Sequence, residues 1–116
     1  MPGPDAFANG LYGRPIEADG RVVYALSGEI NNCNCVTVAD RVLRMWSRQI
    51  DATTLELDMA AVSLIDSTGL RALTVLSQEL ASAGGHLRIV RPSLPVRRVL
   101  QLTGLDRLLG LITQPA

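Results

Sequence analysis

The feature that most constrains the fold of this chain is an alternation between two hydrophobic periods that begins at Val22. Short β-rich apolar runs at residues 22–26, 54–59 and 86–90 alternate with longer stretches in which apolar residues recur every three or four positions. A strand–helix–strand order favours parallel strands, because each helix returns the chain across one face of the sheet in a right-handed crossover. The alternation therefore predicts an α/β fold.

The chain before this alternation predicts an antiparallel addition to the sheet. Residues 11–17 have the character of an edge strand, with Pro15 limiting how central it can be. Asp19-Gly20 then predicts a two-residue hairpin, so the first two strands are expected to be antiparallel neighbours. We therefore predict a single α/β domain with a mixed, mainly parallel sheet of four to five strands, flanked by about three helices.

The domain is expected to occupy most of the 116 residues, a length that suits one hydrophobic core. Residues 1–10 contain two prolines and two glycines and are predicted to form a flexible leader. Residues 11–112 are predicted to form the folded domain, and residues 113–116 a tail. The apolar run at residues 108–112 could add one more edge strand.

Three amphipathic helices are predicted to cover the sheet. The first spans residues 36–50, the second spans residues 70–83 before Gly84-Gly85, and the third follows a Ser93 cap and ends at Gly104. On the first helix, three arginines are expected to face solvent or to meet an acidic partner: Arg41, Arg44 and Arg48. The predicted buried stripes contain Val36, Ala39, Val42, Leu43, Trp46 and Ile50 in the first helix, Leu70, Leu73, Leu76 and Leu80 in the second, and Val96, Val99, Leu100 and Leu102 in the third.

The charge and aromatic content argue against several classes of partner. Eleven basic and eleven acidic residues cancel, and aromatic residues make up only 3% of the chain, so neither a phosphate-attracting field nor a base-stacking platform is expected. No apolar run approaches the ~20 residues that span a bilayer, and the N-terminus lacks the pattern of a secretory signal. We therefore expect a cytoplasmic protein that contacts other proteins or small ligands, without direct nucleic-acid contact or membrane insertion. The sequence is also compatible with a homodimer.

The potential metal ligands are too few for a structural zinc site. Cys33, Cys35 and His86 give three ligands, whereas such a site usually has four. The two cysteines are also too few for a disulfide framework, so they are expected to be reduced thiols. No metal and no cofactor are predicted.

The segment with the most chemical potential is Asp66-Ser67-Thr68-Gly69, which lies between a predicted strand and the second predicted helix. A helix N-terminus offers unpaired N–H groups and a partial positive charge. One interpretation of the segment is ordinary N-capping. Another is that Ser67 accepts a phosphate, which would meet these N–H donors. The two interpretations are compatible, because a capped turn keeps the hydroxyl at the surface.

Catalysis by this segment is the weaker hypothesis. A Ser67 nucleophile would need a positioned base, and the only histidine, His86, is predicted at a strand start, at the opposite end of a parallel sheet. Asp58 and Asp66 could be considered as a pair of catalytic carboxylates, but Asp58 is expected to belong to the end of its strand. No Gly-x-Ser-x-Gly elbow surrounds Ser67, and the chain has no lysine and hence no Gly-x-x-x-x-Gly-Lys phosphate loop. We predict that the protein is not an enzyme.

Six stretches of the chain, taken in order, form one pattern: Ser27-Gly28-Glu29-Ile30, Leu55-Glu56-Leu57-Asp58, Val62-Ser63-Leu64-Ile65-Asp66-Ser67-Thr68-Gly69-Leu70, Gly85-His86-Leu87-Arg88-Ile89-Val90, Val96-Arg97-Arg98-Val99-Leu100 and Leu102-Thr103-Gly104-Leu105. This pattern resembles the STAS domains, the family of sulphate-transporter and anti-sigma-factor-antagonist domains. The resemblance extends from about Val22 to Leu109 and implies a regulatory module without catalysis of its own.

The antagonist branch of this family implies a specific switch. In that branch, an anti-sigma factor that is also a kinase phosphorylates the serine of Asp-Ser-Ser/Thr-Gly, and the unmodified antagonist binds that anti-sigma factor and frees the sigma factor. By resemblance, Ser67 is the phosphorylation site. The predicted partner-binding residues are Asp66, Ser67, Thr68, Gly69, Arg71 and Asn31, the last at a position where the family often has Asp.

Two other functions are open on the sequence alone. Some small STAS-like proteins are cytosolic subunits of ABC-type membrane transporter assemblies, which is the second hypothesis. Nucleotide binding or weak hydrolysis is the third, and the missing phosphate loop argues against it.

Overall fold

The computed structural model describes residues 3–18, 21–49 and 53–108, which are organised around one five-stranded sheet. The strands lie side by side in chain order, with β1–β2 and β2–β3 antiparallel and β3–β4 and β4–β5 parallel. The predicted α/β fold with a mixed sheet is confirmed. The sheet is not mainly parallel, however, because an unpredicted first strand adds a second antiparallel pair. The strands are β1 (Asp5–Phe7), β2 (Leu11–Ala18), β3 (Arg21–Ile30), β4 (Thr54–Ile65) and β5 (His86–Val90).

Four α-helices accompany the sheet in the part of the chain that the structure describes. Helices α1 and α2 pack against each other, and α3 packs against β4. One core of buried apolar side chains joins the helices to the sheet, and β4 contributes Leu55, Leu57 and Met59 with no exposed surface. The helices are α1 (Cys35–Ser47), α2 (Ser67–Ser82), α3 (Leu94–Thr103) and the short α4 (Leu105–Leu108); a 3₁₀ turn at Ala8–Gly10 joins β1 to β2.

Residues 5–10, which belong to the predicted flexible leader, form strand β1 and the 3₁₀ turn. Strand β1 pairs with the start of β2, and the Asp5 carboxylate accepts a hydrogen bond of 2.5 Å from the hydroxyl of the fully buried Tyr24. The same carboxylate forms an ion pair with Arg41 Nε at 3.0 Å. Arg41, which was expected to face solvent, is held against β1 by this contact, and 37% of its side chain stays exposed.

Strand β4 is longer than predicted and ends at Ile65 instead of Met59. Its second half stays paired with β3 across two irregularities in register. Asp58 therefore lies inside the strand and not at its end, and its carboxylate contacts Arg91 at 3.4 Å. Because the strand continues to Ile65, it leads directly to Asp66 with no intervening loop.

The buried face of α1 is rotated relative to the prediction. Val36, which was expected in the core, is 73% exposed, and Ala39 and Leu43 are only partly buried. Trp46 lies in the core as predicted, whereas Ile50 is outside the described residues. The residues of α1 that the core does bury are Cys35, Val38, Val42 and Trp46.

The ends of α2 and α3 agree with the predicted capping signals. Gly84 follows α2 with a left-handed φ of 84°, and Gly104 ends α3 in the same conformation. The Ser93 side chain accepts a hydrogen bond from the Val96 amide at the start of α3. One prediction for the inner side of α3 is wrong, because Leu102 is 88% exposed. The predicted stripe of α2 is buried as expected: Leu70, Leu73, Leu76 and Leu80.

Three predictions fall wholly or partly outside the described residues. The Asp19-Gly20 turn is one, although Ala18 and Arg21 on either side of it are paired as an antiparallel hairpin requires. The tail at residues 113–116 is the second. The edge strand predicted at residues 108–112 is the third, and its one described residue ends helix α4.

Candidate functional site

The candidate site lies where the carboxyl ends of β3 and β4 meet the start of α2. Strand β4 ends at Ile65, Asp66 has extended backbone angles, and α2 begins at Ser67. The Asp66 amide donates to the carbonyl of Ile30, the last residue of β3, at 3.1 Å. In open α/β sheets, ligand sites gather beyond this end of the strands. Residues 66–69 are referred to below as the Asp66 turn.

Asp66 caps helix α2 and is ionised at neutral pH. Its Oδ1 accepts hydrogen bonds from the Thr68 hydroxyl at 2.6 Å and from the Gly69 amide at 2.9 Å. The bond from Thr68 and, after it, the bond from Gly69 stabilise the carboxylate and hold the pKa of Asp66 below its ordinary value of 3.8. The N-cap interpretation of Asp66 is confirmed, and the turn carries a fixed negative charge.

Gly69 allows α2 to begin close to the ends of both strands. It is buried, and a Cβ atom at this position would lie 2.8 Å from Ile65 Cγ1 and 3.0 Å from Ile30 Cγ2. Contacts this short would force the neighbouring groups apart, because protein interiors are close-packed. Gly69 therefore shapes the turn from beneath, and its predicted part in partner binding stays a prediction.

Ser67 and Thr68 are adjacent hydroxyl residues with different surroundings. Both are exposed, but the Thr68 hydroxyl is bonded to Asp66. The Ser67 hydroxyl, at the first position of α2, forms no side-chain hydrogen bond with another described residue. The Ser67 hydroxyl is therefore available for modification, while the Thr68 hydroxyl supports the helix cap.

The loop between β3 and α1 borders the Asp66 turn. The Asn32 backbone amide lies near the Asp66 carboxylate and, after the bonds from Thr68 and Gly69, helps to lower its pKa. The Asn31 side chain is only 8% exposed, and it donates to Glu29 Oε1 and accepts from the Cys33 amide, both at 3.0 Å. Asn31 is therefore bonded within the loop, and its predicted contact with a partner stays a prediction.

Asn34 is a residue of this region whose role the sequence analysis missed. Its buried side-chain amide donates to the carbonyls of Ala8 and Glu29, both at 2.9 Å, and its Oδ1 accepts from the Asn31 amide at 3.0 Å. These bonds tie the loop to the 3₁₀ turn and to β3. The available signal was an Asn directly before a helix, a common N-cap residue. Its bond to Ala8 depends on the tertiary fold.

A groove between α1 and α2 continues from the Asp66 turn along the surface. It encloses about 520 Å³ and is lined mainly by apolar side chains. Leu76 contributes a buried wall, whereas Val36 and Val75 are exposed at its edges. Thr68 and Arg71 line the groove as well, so two of the predicted partner-binding residues border it, and Thr68 also belongs to the Asp66 turn. We refer to this feature as the α1–α2 groove.

The weaker hypothesis, that Ser67 is a catalytic nucleophile, would require a histidine near the site. His86 begins β5 and pairs with Thr54 at the start of β4, whereas Asp66 follows the last residue of β4. The histidine and the turn therefore lie at opposite ends of the same strands. Ser67 has no histidine within reach to serve as its base.

The described residues also form no recognisable metal site. Within them, no group of three or more His, Cys, Asp or Glu side chains is placed to hold a metal ion. Both cysteines are free thiols, Cys33 exposed and Cys35 buried.

Comparison of the amino-acid sequence with models of protein families identifies the family of this chain. The model of the STAS domain matches residues 15–115, most of the chain. The chain belongs to the STAS domain family. The resemblance inferred from the motifs is confirmed, and the Asp66 turn lies well inside the matched region of this STAS domain.

Solved structures with the same STAS fold include anti-sigma-factor antagonists. An anti-sigma factor antagonist from Mycobacterium paratuberculosis has a TM-score of 0.77 and 24% identity, over 93% of this chain and 90% of that one. The anti-sigma factor antagonist SpoIIAA in its unphosphorylated form has a TM-score of 0.69 and 22% identity, over 88% of this chain and 89% of that one. At these identities the comparison establishes a common fold.

A sequence relative of this STAS domain is part of a much longer protein. The Arabidopsis thaliana protein named "Probable sulfate transporter 3.4" is 31% identical over 122 residues, covering 96% of this chain and 18% of that protein. The chain therefore spans less than a fifth of that relative's length. In the described part of this STAS domain, no helix is both long enough and apolar enough to cross a membrane.

Proposed function

We propose that this STAS domain is a non-catalytic, cytoplasmic protein-interaction module of the anti-sigma-factor antagonist type, switched by phosphorylation of Ser67. One observation carries the proposal: the Ser67 hydroxyl is exposed and has no hydrogen bond to another described side chain, while the neighbouring Thr68 hydroxyl is bonded to Asp66. Antagonists that share the fold support this branch of the family. The partner in this proposal is an anti-sigma factor with kinase activity.

The surface offered to that partner combines the Asp66 turn with Arg71. Asp66 carries a negative charge directly before Ser67, and the exposed Arg71 carries a positive charge one helical turn after it. The loop between β3 and α1, which contains Asn31, forms the opposite border of the Asp66 turn. A partner that pairs with both charges is thereby positioned over the Ser67 hydroxyl, which is the geometry that a kinase requires.

Phosphorylation would change the interface more than the fold. A phosphate adds about −1.5 to −2 charge at pH 7, and the N-terminus of α2 accommodates negative charge near its N–H groups. The domain itself therefore needs little rearrangement. The partner, in contrast, meets a second anion beside the Asp66 carboxylate, and like-charge contact or desolvation can cost several kcal/mol.

The size of this effect is comparable to what a switch requires. Moving a bound population from about 99:1 to about 1:99 requires about 5.5 kcal/mol. One phosphate in the centre of an interface can supply much of that free energy. The proposed switch therefore does not depend on a conformational change in the STAS domain.

The direct test is phosphorylation by candidate anti-sigma kinases. The protein is incubated with each kinase and ATP, and the modified residue is located by tandem mass spectrometry. We expect one phosphate, on Ser67, and none on a Ser67→Ala variant. An unmodified wild-type protein, or a Ser67→Ala variant that is still phosphorylated, would contradict the proposal.

A second candidate function is that of a STAS-type cytosolic subunit of an ABC-type membrane transporter assembly. The 31% identity to part of a sulfate transporter supports keeping it. In this case the protein should co-purify with a transporter ATPase subunit, and neither Ser67→Ala nor Ser67→Glu should affect the association. Loss of the association on Ser67→Glu would instead favour the phosphorylation switch.

A further inference from the structure

Helix α2 presents three exposed side chains in a row along the α1–α2 groove. These are Arg71, Val75 and Glu79, each four residues from the next. Residues four apart lie on one face of a helix, so the row extends about 12 Å from the cation to the anion. Val75, in the middle, is 43% exposed. We refer to these three residues as the α2 stripe.

The two charges of the α2 stripe have no ionic partner elsewhere in the described residues. Four arginine–carboxylate pairs occur in those residues, and none of them includes Arg71 or Glu79. Across the groove, α1 exposes 73% of Val36. An apolar groove bordered by unpaired charges of both signs is typical of an interaction surface.

The order of charges makes the α2 stripe complementary to itself. When a second copy of α2 runs antiparallel, Arg71 faces Glu79 of the second copy, Glu79 faces its Arg71, and the two Val75 side chains meet on the two-fold axis. Each contact then occurs twice, as in an isologous dimer. A parallel arrangement would instead place like charges opposite each other.

We propose that the α1–α2 groove is a homodimer interface and that its occupant is α2 of a second copy of this chain. The two Val75 side chains pack against each other at the edge of the apolar groove, and the two ion pairs set the register. A second copy supplies both complementary charges at the required spacing.

The α2 stripe shares its helix face with Ser67, which precedes Arg71 by four residues. A phosphate on Ser67 would compete within the chain for the Arg71 guanidinium, because arginine pairs strongly with phosphate. Glu79 of the second copy would then lose its partner, and phosphorylation should weaken the dimer. This consequence, unlike the dimer itself, rests on the proposed modification of Ser67.

The dimer is tested by charge reversal on the unmodified full chain. Sedimentation equilibrium at low salt gives the dimer dissociation constant for Arg71→Glu, Glu79→Arg and the double variant. We expect each single change to weaken the dimer by about tenfold or more, because two ion pairs become two repulsions. The double variant should return to within about threefold of wild type. Arg98→Glu, an exposed change on α3, is the matched control and should have no effect.

A cysteine cross-link tests the two-fold axis independently of charge. In a Cys33→Ser background, Val75→Cys should form an intermolecular disulfide on mild oxidation, because the two positions face each other. Ser82→Cys, exposed at the far end of α2, should not.

Three results would overturn the proposal: a wild-type monomer up to about 1 mM, single variants as dimeric as wild type, or no rescue in the double variant. A dimer that forms as predicted but persists in Ser67→Glu would contradict only the coupling to phosphorylation.

Discussion

The Thr68 hydroxyl donates a hydrogen bond of 2.6 Å to Asp66 Oδ1, so the two side chains that flank Ser67 are bonded to each other. The bond supports the cap of α2 and engages the second of two adjacent hydroxyl groups. Ser67 and Thr68 therefore differ in hydrogen bonding as well as in residue type. This difference is the structural basis for the proposal that Ser67 is the residue that accepts a phosphate.

The same bond predicts which hydroxyl a kinase modifies when either is removed. A Thr68→Val variant should still be phosphorylated on Ser67, although loss of the bond to Asp66 should lower the free energy of unfolding by about 1 kcal/mol. A Ser67→Ala variant should carry no phosphate, because the Thr68 hydroxyl stays engaged. Tandem mass spectrometry locates the phosphate, and its appearance on Thr68 in the Ser67→Ala variant would contradict this assignment.

Ionised Asp66 should stabilise the fold at neutral pH and lose that effect in acid. Its pKa in the folded protein is lower than the ordinary value of 3.8, so the unfolded chain binds the proton more tightly. The stabilisation is therefore complete above the unfolded pKa and is lost as pH falls through the folded pKa. We expect Asp66→Ala to lower the free energy of unfolding by about 1 kcal/mol at neutral pH and by less in strong acid.

Urea denaturation at several pH values measures this difference. Asp66→Asn is the matched control, because it keeps a capping oxygen but cannot titrate, and its own cap contribution should not vary with pH. A stability difference between wild type and Asp66→Ala that stays constant from neutral pH to well below pH 3.8 would exclude the proposed contribution of ionised Asp66.

Gly69→Ala should destabilise the protein even though alanine is the better helix former. The new Cβ would lie 2.8 Å from Ile65 Cγ1 and 3.0 Å from Ile30 Cγ2. Overpacking of this kind typically costs about 1–3 kcal/mol. Ser67→Ala, on the exposed side of the same turn, should change the free energy of unfolding by less than about 0.5 kcal/mol. Thermal unfolding compares the Gly69→Ala and Ser67→Ala variants with wild type. A Gly69→Ala protein as stable as wild type would show that the turn accommodates the added methyl group without strain.

The bond between Tyr24 and Asp5 predicts a non-additive pair of substitutions. Asp5→Ala leaves the buried Tyr24 hydroxyl without its partner and should cost about 1–3 kcal/mol. Adding Tyr24→Phe removes the unsatisfied hydroxyl, so the double variant should be more stable than the sum of the two single effects predicts. Urea denaturation of the four proteins measures the coupling, and strict additivity would show that the bond contributes nothing.

Helix α2 and its cap could be predicted because local signals agreed with tertiary packing. One apolar stripe, a capping Asp66 and a terminating Gly84 all specify the same helix. Helix α1 offered two overlapping apolar stripes that share Val42 and Trp46, and local spacing alone does not choose between them. The packing of α1 against both α2 and β3 selects the stripe that excludes Val36.

The N-terminal strand and the extension of β4 could not be predicted because long-range contacts determine them. Asp5 is held by Tyr24 and Arg41, which are 19 and 36 residues away. The second half of β4 contains Ala60 and Ala61, which carry little strand preference, and it is a strand because β3 pairs with it. The location of the Asp66 turn could be predicted from the sequence. The hydrogen bond to Asp66 that distinguishes Thr68 from Ser67 could be identified only in the structure.

We propose that a phosphate on Ser67 controls partner binding. Calorimetric titration without ATP compares the affinity of the anti-sigma kinase for the unmodified and the Ser67-phosphorylated protein, with Ser67→Ala as the unmodifiable reference. We predict tight binding to the unmodified and Ser67→Ala proteins and binding at least about a hundredfold weaker to the phosphorylated protein. Equal affinity for the unmodified and phosphorylated forms would contradict the proposal that a phosphate on Ser67 controls partner binding.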